Sequence, residues 1–498
     1  MSNSSTLAPG AAASAAPVRP HRRMLPLLLI GQGMAAMDTS IVNVAAPALR
    51  SDLGISGALL QLVVAGYILA YAVFLITGAR LGDDHGYRRL FMHGLAIFTI
   101  SSLACGLAPD TWLLIVGRLA QGVGAAMLVP QVMSLIQRSY EGRERARAIG
   151  YYSMILGLGS TAGQALGGLI ITANLGGLSW RPAFLLNVPI GIALLVYAPS
   201  VLPNLAGAQR RRLDLPGVAL LTVAMLLVVV PLTFGHDAGW AAWVWVALAA
   251  GVAGLAAFLR FEHGLARRGA APLLDLDALL APGIRPGLAV VSIGFIGYGG
   301  WLFACALYLQ TGLGDSPMIS GFVFAAYAFG FGISNVSWSK LPARLLRFTP
   351  AAALAVMVLA NAAFGSGARE FGWLAALMVP LLFLAGASHG LTFGTTVSQM
   401  TQRTAAHHAP ALSGLVSTSV QLSIVIGVAA LGSVYLALAR PGDVARSAQA
   451  ISSVTFTIAA LALVAIACSL RLATMRAAAP AAAAVPAARP GGDAPRPN

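Results

Sequence analysis

Charge is scarce in this sequence. Charged residues make up 9% of its 498 positions, against about 25% in a soluble domain. The 31 basic and 16 acidic side chains cannot clothe a water-facing surface on a chain this long. A soluble enzyme and a disordered chain are therefore excluded. Lysine is reduced to Lys340 alone. The three cysteines, Cys105, Cys305 and Cys468, lie far apart inside apolar stretches. That placement excludes a disulfide framework and a metal-ligand spacing. H-E-x-x-H does not occur, and no phosphate-cradling ATP loop is present. The sequence thus implies no enzyme, no metal and no cofactor.

Apolar residues are abundant, at 58%, with a mean hydropathy of +0.80. This is the composition of a polytopic membrane protein. The net charge of +15 resembles a nucleic-acid signature, but the basic residues sit in short loops between apolar runs. The expected partner is the lipid bilayer, not nucleic acid.

A spanning helix needs about 20 mostly apolar residues. Fourteen stretches qualify, over 24–47, 58–82, 89–108, 111–136, 146–173, 182–202, 214–234, 241–260, 287–312, 317–338, 349–365, 371–395, 410–438 and 450–472. Residues 1–23 read as a cytoplasmic N-terminal tail, and 473–498 as a disordered Ala/Pro/Gly tail. With both ends in the cytoplasm, 25 of the 31 basic residues fall on the inner side. Arg50, Arg181, Arg369, Arg440 and Arg446 fall outside, and Arg118 falls within a span. That asymmetry follows the positive-inside rule. The spacing suggests two six-helix bundles, 24–202 and 287–472, with two helices inserted within 203–286. Such a duplicated layout suits alternating access.

Asp38 is the one acid well inside a span, fifteen residues beyond Arg23 and so roughly 22 Å deep at 1.5 Å per residue. Arg118 lies seven residues from Thr111, roughly 10 Å below the opposite face. In about 30 Å of hydrocarbon the two sit at similar depth and are expected to pair. An ionised carboxylate there costs about 2.5–3.5 kcal/mol on insertion scales. Low dielectric favours the protonated carboxyl and a nearby guanidinium the ionised one. A carboxyl whose distance to an arginine changes through a conformational cycle therefore binds and releases a proton. The alternative is a static ion pair that fixes helix packing. Other polar residues within spans include Asn43, Gln121, Gln164, Asn187 and His389. Gln121, one turn from Arg118, is the leading cavity candidate, joined by Met34, Asn43, Gln164 and His389. Interhelical hydrogen bonding is the competing role for each polar one.

The loop Gly82-Asp83-Asp84-His85-Gly86-Tyr87-Arg88-Arg89 resembles the signature of the major facilitator superfamily, G-x-x-x-D-R/K-x-G-x-R/K-R/K. Asp83, Gly86, Arg88 and Arg89 match it; Ala79 and Asp84 depart from it. In that family the loop latches the cytoplasmic face. Met37-Asp38-Thr39-Ser40-Ile41-Val42-Asn43-Val44-Ala45-Ala46-Pro47 is similar to the first-helix motif of the fourteen-helix drug:proton antiporters. Gly117-Arg118-Leu119-Ala120-Gln121-Gly122 is similar to their fourth-helix motif, whose arginine is implicated in proton transfer. Trp180-Arg181-Pro182 to Asn187-Val188-Pro189 resembles their sixth-helix opening. Gly159, Gly163, Gly167 and Gly168 resemble the antiporter packing motif G-x-x-x-G-P-x-x-G-G, with Gln164 in place of proline.

The resemblance implies an all-α protein with two six-helix major-facilitator halves and an inserted helix pair. It implies export of a small organic compound in exchange for protons. Asp38 and Arg118 would couple the proton, and Asp83, Gly86, Arg88 and Arg89 would form the cytoplasmic gate. The expected setting is a bacterial inner membrane, with the protein monomeric. A proton-coupled uptake symporter of the same fold is the competing reading. In this family a second acid in the later helices often accompanies cationic drugs. None lies within the spans of 287–472, which tilts the expectation toward neutral, anionic or zwitterionic substrates.

Overall fold

The computed structural model describes residues 21–205, 214–268, 279, 281–368, 374–404 and 409–475. The expected tails, apart from their edges, and the basic cluster Arg210, Arg211 and Arg212 lie outside these residues. In chain order the helices are α1 Met24–Leu53, α2 Gly57–His85, α3 Tyr87–Gly106, α4 Thr111–Ser139, α5 Gly142–Ala173, α6 Arg181–Leu185, α7 Asn187–Val201, α8 Leu215–Phe234 and α9 Ala242–Arg267. They continue as α10 Ile284–Leu307, α11 Pro317–Ser337, α12 Ala343–Leu346, α13 Thr349–Gly367, α14 Leu374–Arg403, α15 Ala409–Leu438 and α16 Val444–Thr474. The protein is an all-helical, multi-pass membrane protein.

Local chemistry sets the helix ends. Ser56 caps α2 by accepting from the Leu59 N–H at 3.3 Å. Asp110 caps α4 through the Leu113 N–H at 2.9 Å, and Asp443 caps α16 through Arg446 at 2.9 Å. Each satisfies a donor that the helix start leaves open. Gly54, at φ +62°, closes α1. Leu186 separates α6 from α7, so the expected span 182–202 is a short and a long helix.

Thirteen helices among the described residues are long and apolar enough to cross a membrane. The expected span 146–173 falls on α5, which has 32 residues but is not among the thirteen. Large apolar side chains such as Ile100, Val116, Val196, Val246 and Leu359 stand exposed, as lipid-facing positions require. Trp112, Trp243 and Trp245 are exposed near helix starts, where the amphipathic indole suits a membrane–water interface.

The chain divides into two compact units, residues 1–222 with 305–328, and 223–304 with 329–498. In the first, small residues bring backbones together. A Cβ on Gly78 would stand 2.0 Å from the Ala126 carbonyl oxygen, and one on Gly122 would stand 2.3 Å from that of Tyr67. Thus α2 and α4 pack backbone to backbone. In the second unit Gly427 of α15 meets the Ile296 carbonyl of α10 at 2.1 Å in the same sense. Ser433 ties α15 to α8 by donating to the Leu232 carbonyl at 2.7 Å.

Candidate functional site

Asp38 on α1 and Arg118 on α4 are both fully buried, and Arg118 Nη1 donates to Asp38 Oδ2 at 2.6 Å. Two charges withdrawn from water cost several kcal/mol each, so their remaining atoms need partners. Asp38 Oδ1 accepts from Gln121 Nε2 at 2.8 Å and from Asn187 Nδ2 at 3.0 Å. Both amides also donate to Ser102 Oγ at 3.1 Å, and Ser102 donates to the Phe184 carbonyl at 2.9 Å. Arg118 Nε donates to the Val63 carbonyl at 3.3 Å, and Nη1 also to Gln121 Oε1 at 2.9 Å. Its guanidinium lies over the Tyr67 ring at 4.5 Å and near the Phe184 ring at 5.6 Å. Those rings supply cation–π attraction where no water reaches. Arg118 Nη2 and Asn187 Oδ1 are buried without a hydrogen-bond partner.

Six elements converge on this ion pair and its partners: α1, α2, α3, α4, α6 and α7. The helical spacing of Arg118 and Gln121 puts both on one face of α4. Asn187, the first residue of α7, turns inward just after the break that Leu186 makes. Removing its amide leaves the carboxylate short of a donor. Asn187→Leu is expected to lower thermal stability by about 1–3 kcal/mol, read as an earlier unfolding midpoint in detergent.

Helix α5 carries the spaced glycines against α1. A Cβ on Gly163 would stand 2.3 Å from Ser40 Oγ and 2.5 Å from the Met37 carbonyl oxygen. Gly159 faces Ala36 and Gly33, and Gly167 faces Ile41. Ser40 also donates to the Ser160 carbonyl at 2.9 Å. The segment of α1 holding Asp38 is therefore fixed by close backbone contact with α5. Gly168 instead meets Pro317 and Met318 at the start of α11.

The signature loop forms the junction of α2 and α3. Gly86 makes the corner at φ +93°, a backbone region that glycine alone enters without strain. Asp83 accepts a hydrogen bond from the Tyr87 hydroxyl, and Arg138 lies over the Tyr87 ring at 4.6 Å. Arg88 donates to the Leu202 carbonyl at 3.4 Å, and Arg89 is exposed. These contacts link the ends of α2, α3, α4 and α7.

The other cavity candidates are scattered. Met34 is buried on α1. Asn43 donates back to the carbonyls of Thr39 and Ser40 on its own helix. Gln164 is buried on α5, its Oε1 without a partner. His389 belongs to the second unit, its ring packed edge-on against Phe295 at 4.6 Å and Phe331 at 5.2 Å. Among the described residues, Met34, Asn43 and Gln164 make no hydrogen bond to the ion pair. Sequence reasoning missed Ser102 and the aromatic faces of Tyr67 and Phe184. A serine in an apolar helix at the depth of Asp38 was the available signal for the first; Tyr67 reads from the sequence only as an apolar cavity wall, not as a face for the guanidinium.

A multi-pass bundle of apolar helices that pairs the buried acid Asp38 with the buried base Arg118 has the architecture of a membrane transporter, not of an enzyme. The chain belongs to the Major Facilitator Superfamily, whose family profile matches residues 28–428. It is 33% identical to the probable actinorhodin transporter of Streptomyces coelicolor, covering 86% of this chain and 75% of the relative. It is 36% identical to cephamycin export protein CmcT of Amycolatopsis lactamdurans, over 80% and 82%. The tetracenomycin C resistance and export protein of Streptomyces glaucescens is 31% identical, over 83% and 76%. Among solved structures, a bacterial homologue of the human lysosomal transporter Spinster shares the fold at a TM-score of 0.66 and 16% identity. That match covers 91% of this chain and 97% of the other.

Proposed function

We propose that the protein exports small organic compounds, drugs or secondary metabolites, in exchange for protons by alternating access. The observation that carries this reading is the fully buried Asp38–Arg118 pair, bridged by Gln121 and Asn187. In this arrangement the guanidinium offsets the charge of the carboxylate. A conformational step that draws Arg118 aside leaves a buried carboxylate without its cation, and a proton then replaces it. Return of Arg118 expels the proton. Inward proton flow yields about 2.3 kcal/mol per charge per 100 mV, which drives the substrate outward. Relatives named for exporting cephamycin and tetracenomycin C support the direction and the substrate class.

In this reading the chain crosses the membrane fourteen times, α5 included. The two bundles are 24–202 and 287–472, and α8 and α9 are the inserted pair. Both ends face the cytoplasm of a bacterial inner membrane, and the transporter works as a monomer. Asp83, Gly86, Arg88 and Arg89 form the cytoplasmic gate.

The uptake symporter of the same fold is separated by direction. The test places the protein in inverted vesicles with an imposed proton gradient and offers actinorhodin, cephamycin and tetracenomycin C in turn. At least one is expected to accumulate inside, with accumulation abolished by an uncoupler. Accumulation only in right-side-out vesicles, together with protons, would show uptake instead.

A further inference from the structure

A second polar site lies in the second unit, remote in sequence from the ion pair. The ends of α14 and α16 and the segment joining α12 to α13 enclose a pocket of about 380 Å³. Arg347 and Arg403 both line it, beside Ser398 and Gln399, and among the described residues no carboxylate does. Gln399 closes one wall by donating to the Leu346 carbonyl at 3.0 Å.

The two arginines share one duty. Arg403 Nη2 donates to the carbonyls of Leu472 and Met475, at 3.0 and 3.1 Å. Arg347 Nε donates to the Ala473 carbonyl at 2.5 Å. These are open carbonyls at the negative end of the α16 dipole, and a cation there is favourable. One guanidinium would suffice for such a cap. Two in one pocket repel each other, and neither forms an ion pair among the described residues. Capping uses one of the five N–H donors of Arg347, whose guanidinium also lies 5.1 Å from the Phe348 ring, and among the described residues neither of its amino groups has a hydrogen-bond partner. Arg403 Nε is buried with no partner. A planar fork of free N–H groups matches the paired oxygens of a phosphate, and basic pockets between membrane helices take phosphate head groups.

We infer that the Arg347–Arg403 pocket binds a phosphate-bearing anion, with the oxygens of a phosphate mono- or diester seated on the free amino groups of Arg347 and the Nε–H of Arg403. The chemistry is shared by an anionic lipid head group and a soluble phosphate. Binding here stands apart from transport direction and from the role of Asp38.

The test uses the full-length protein in phosphatidylcholine nanodiscs and reads the thermal unfolding midpoint as phosphatidylglycerol replaces part of the lipid. A parallel arm adds millimolar inorganic phosphate instead. A ligand of the folded state raises the midpoint. The wild type is expected to rise in at least one arm. Response to phosphatidylglycerol alone assigns a lipid; response to phosphate alone assigns a soluble ester or ion. Arg347→Gln is expected to weaken the apparent affinity about tenfold or more, since charge-assisted bonds carry about 1.5–3 kcal/mol. Arg344→Gln removes the same charge from the exposed surface nearby and is expected to keep the response. Should Arg347→Gln fail to fold, Ser398→Glu places a carboxylate in the pocket and is expected to abolish the response. Equal weakening by Arg344→Gln, an unchanged response in Arg347→Gln or Ser398→Glu, or no response of the wild type in either arm overturns the inference.

Discussion

Asp38→Asn is expected to lose proton-driven transport down to the level of vesicles lacking the protein, while still inserting into the membrane. Asparagine keeps the shape and one acceptor oxygen, so Gln121 and Asn187 still find a partner. It cannot take up and release a proton. It also leaves Arg118 buried beside Val63, Tyr67 and Phe184 with no anion. Removing one partner of a buried pair costs about 3–5 kcal/mol, so the variant also unfolds earlier. Two readouts separate the effects. Accumulation of substrate against its gradient tests coupling, whereas exchange of labelled for unlabelled substrate needs no net proton movement. Loss of the first with survival of the second is the expected pattern. Gradient-driven accumulation at the wild-type rate would reduce Asp38 to a packing element.

Gly163→Val is expected to be the most damaging single change on α5. Its Cβ would lie inside the contact distance of both Ser40 Oγ and the Met37 carbonyl. Ser40 can rotate, although doing so breaks its bond to the Ser160 carbonyl. The carbonyl cannot move without shifting α1 at the residue next to Asp38. Overpacking of a close-packed interior costs about 1–3 kcal/mol when side chains yield, and a backbone clash costs more. The folded yield from membranes is expected to fall sharply. Gly264→Val on α9 is the control, because nothing lies within 4 Å of that Cβ position. Equal yields for the two variants would mean that α5 does not lie against α1 at this register.

The central pair was legible because hydrocarbon makes a charge conspicuous. Asp38 and Arg118 stand out in apolar runs, and counting residues from the helix ends put them at one depth. Their contact at 2.6 Å follows from that arithmetic. The supporting shell was harder to read. Asn187 is 149 positions from Asp38, and only the packing of α7 on α3 brings its amide to Ser102. Interhelical bonding is the competing role for Asn43, yet among the described residues it donates only to its own helix. The helix ends followed capping chemistry that hydropathy does not register. Thus α16 starts at Val444 behind Asp443, six residues before the apolar run at 450. Arg347 and Arg403 read as inner-loop charges; that both reach the end of α16 depends on three helix ends converging.

The most direct measurement is infrared difference spectroscopy of the carboxyl stretch, on protein reconstituted in lipid and cycled by addition and removal of substrate. The account predicts a protonated-carboxyl band in the wild type that grows and vanishes with the cycle and is missing from Asp38→Asn. A band that persists in Asp38→Asn, or a wild type whose buried carboxylate never changes protonation while transport proceeds, would contradict it.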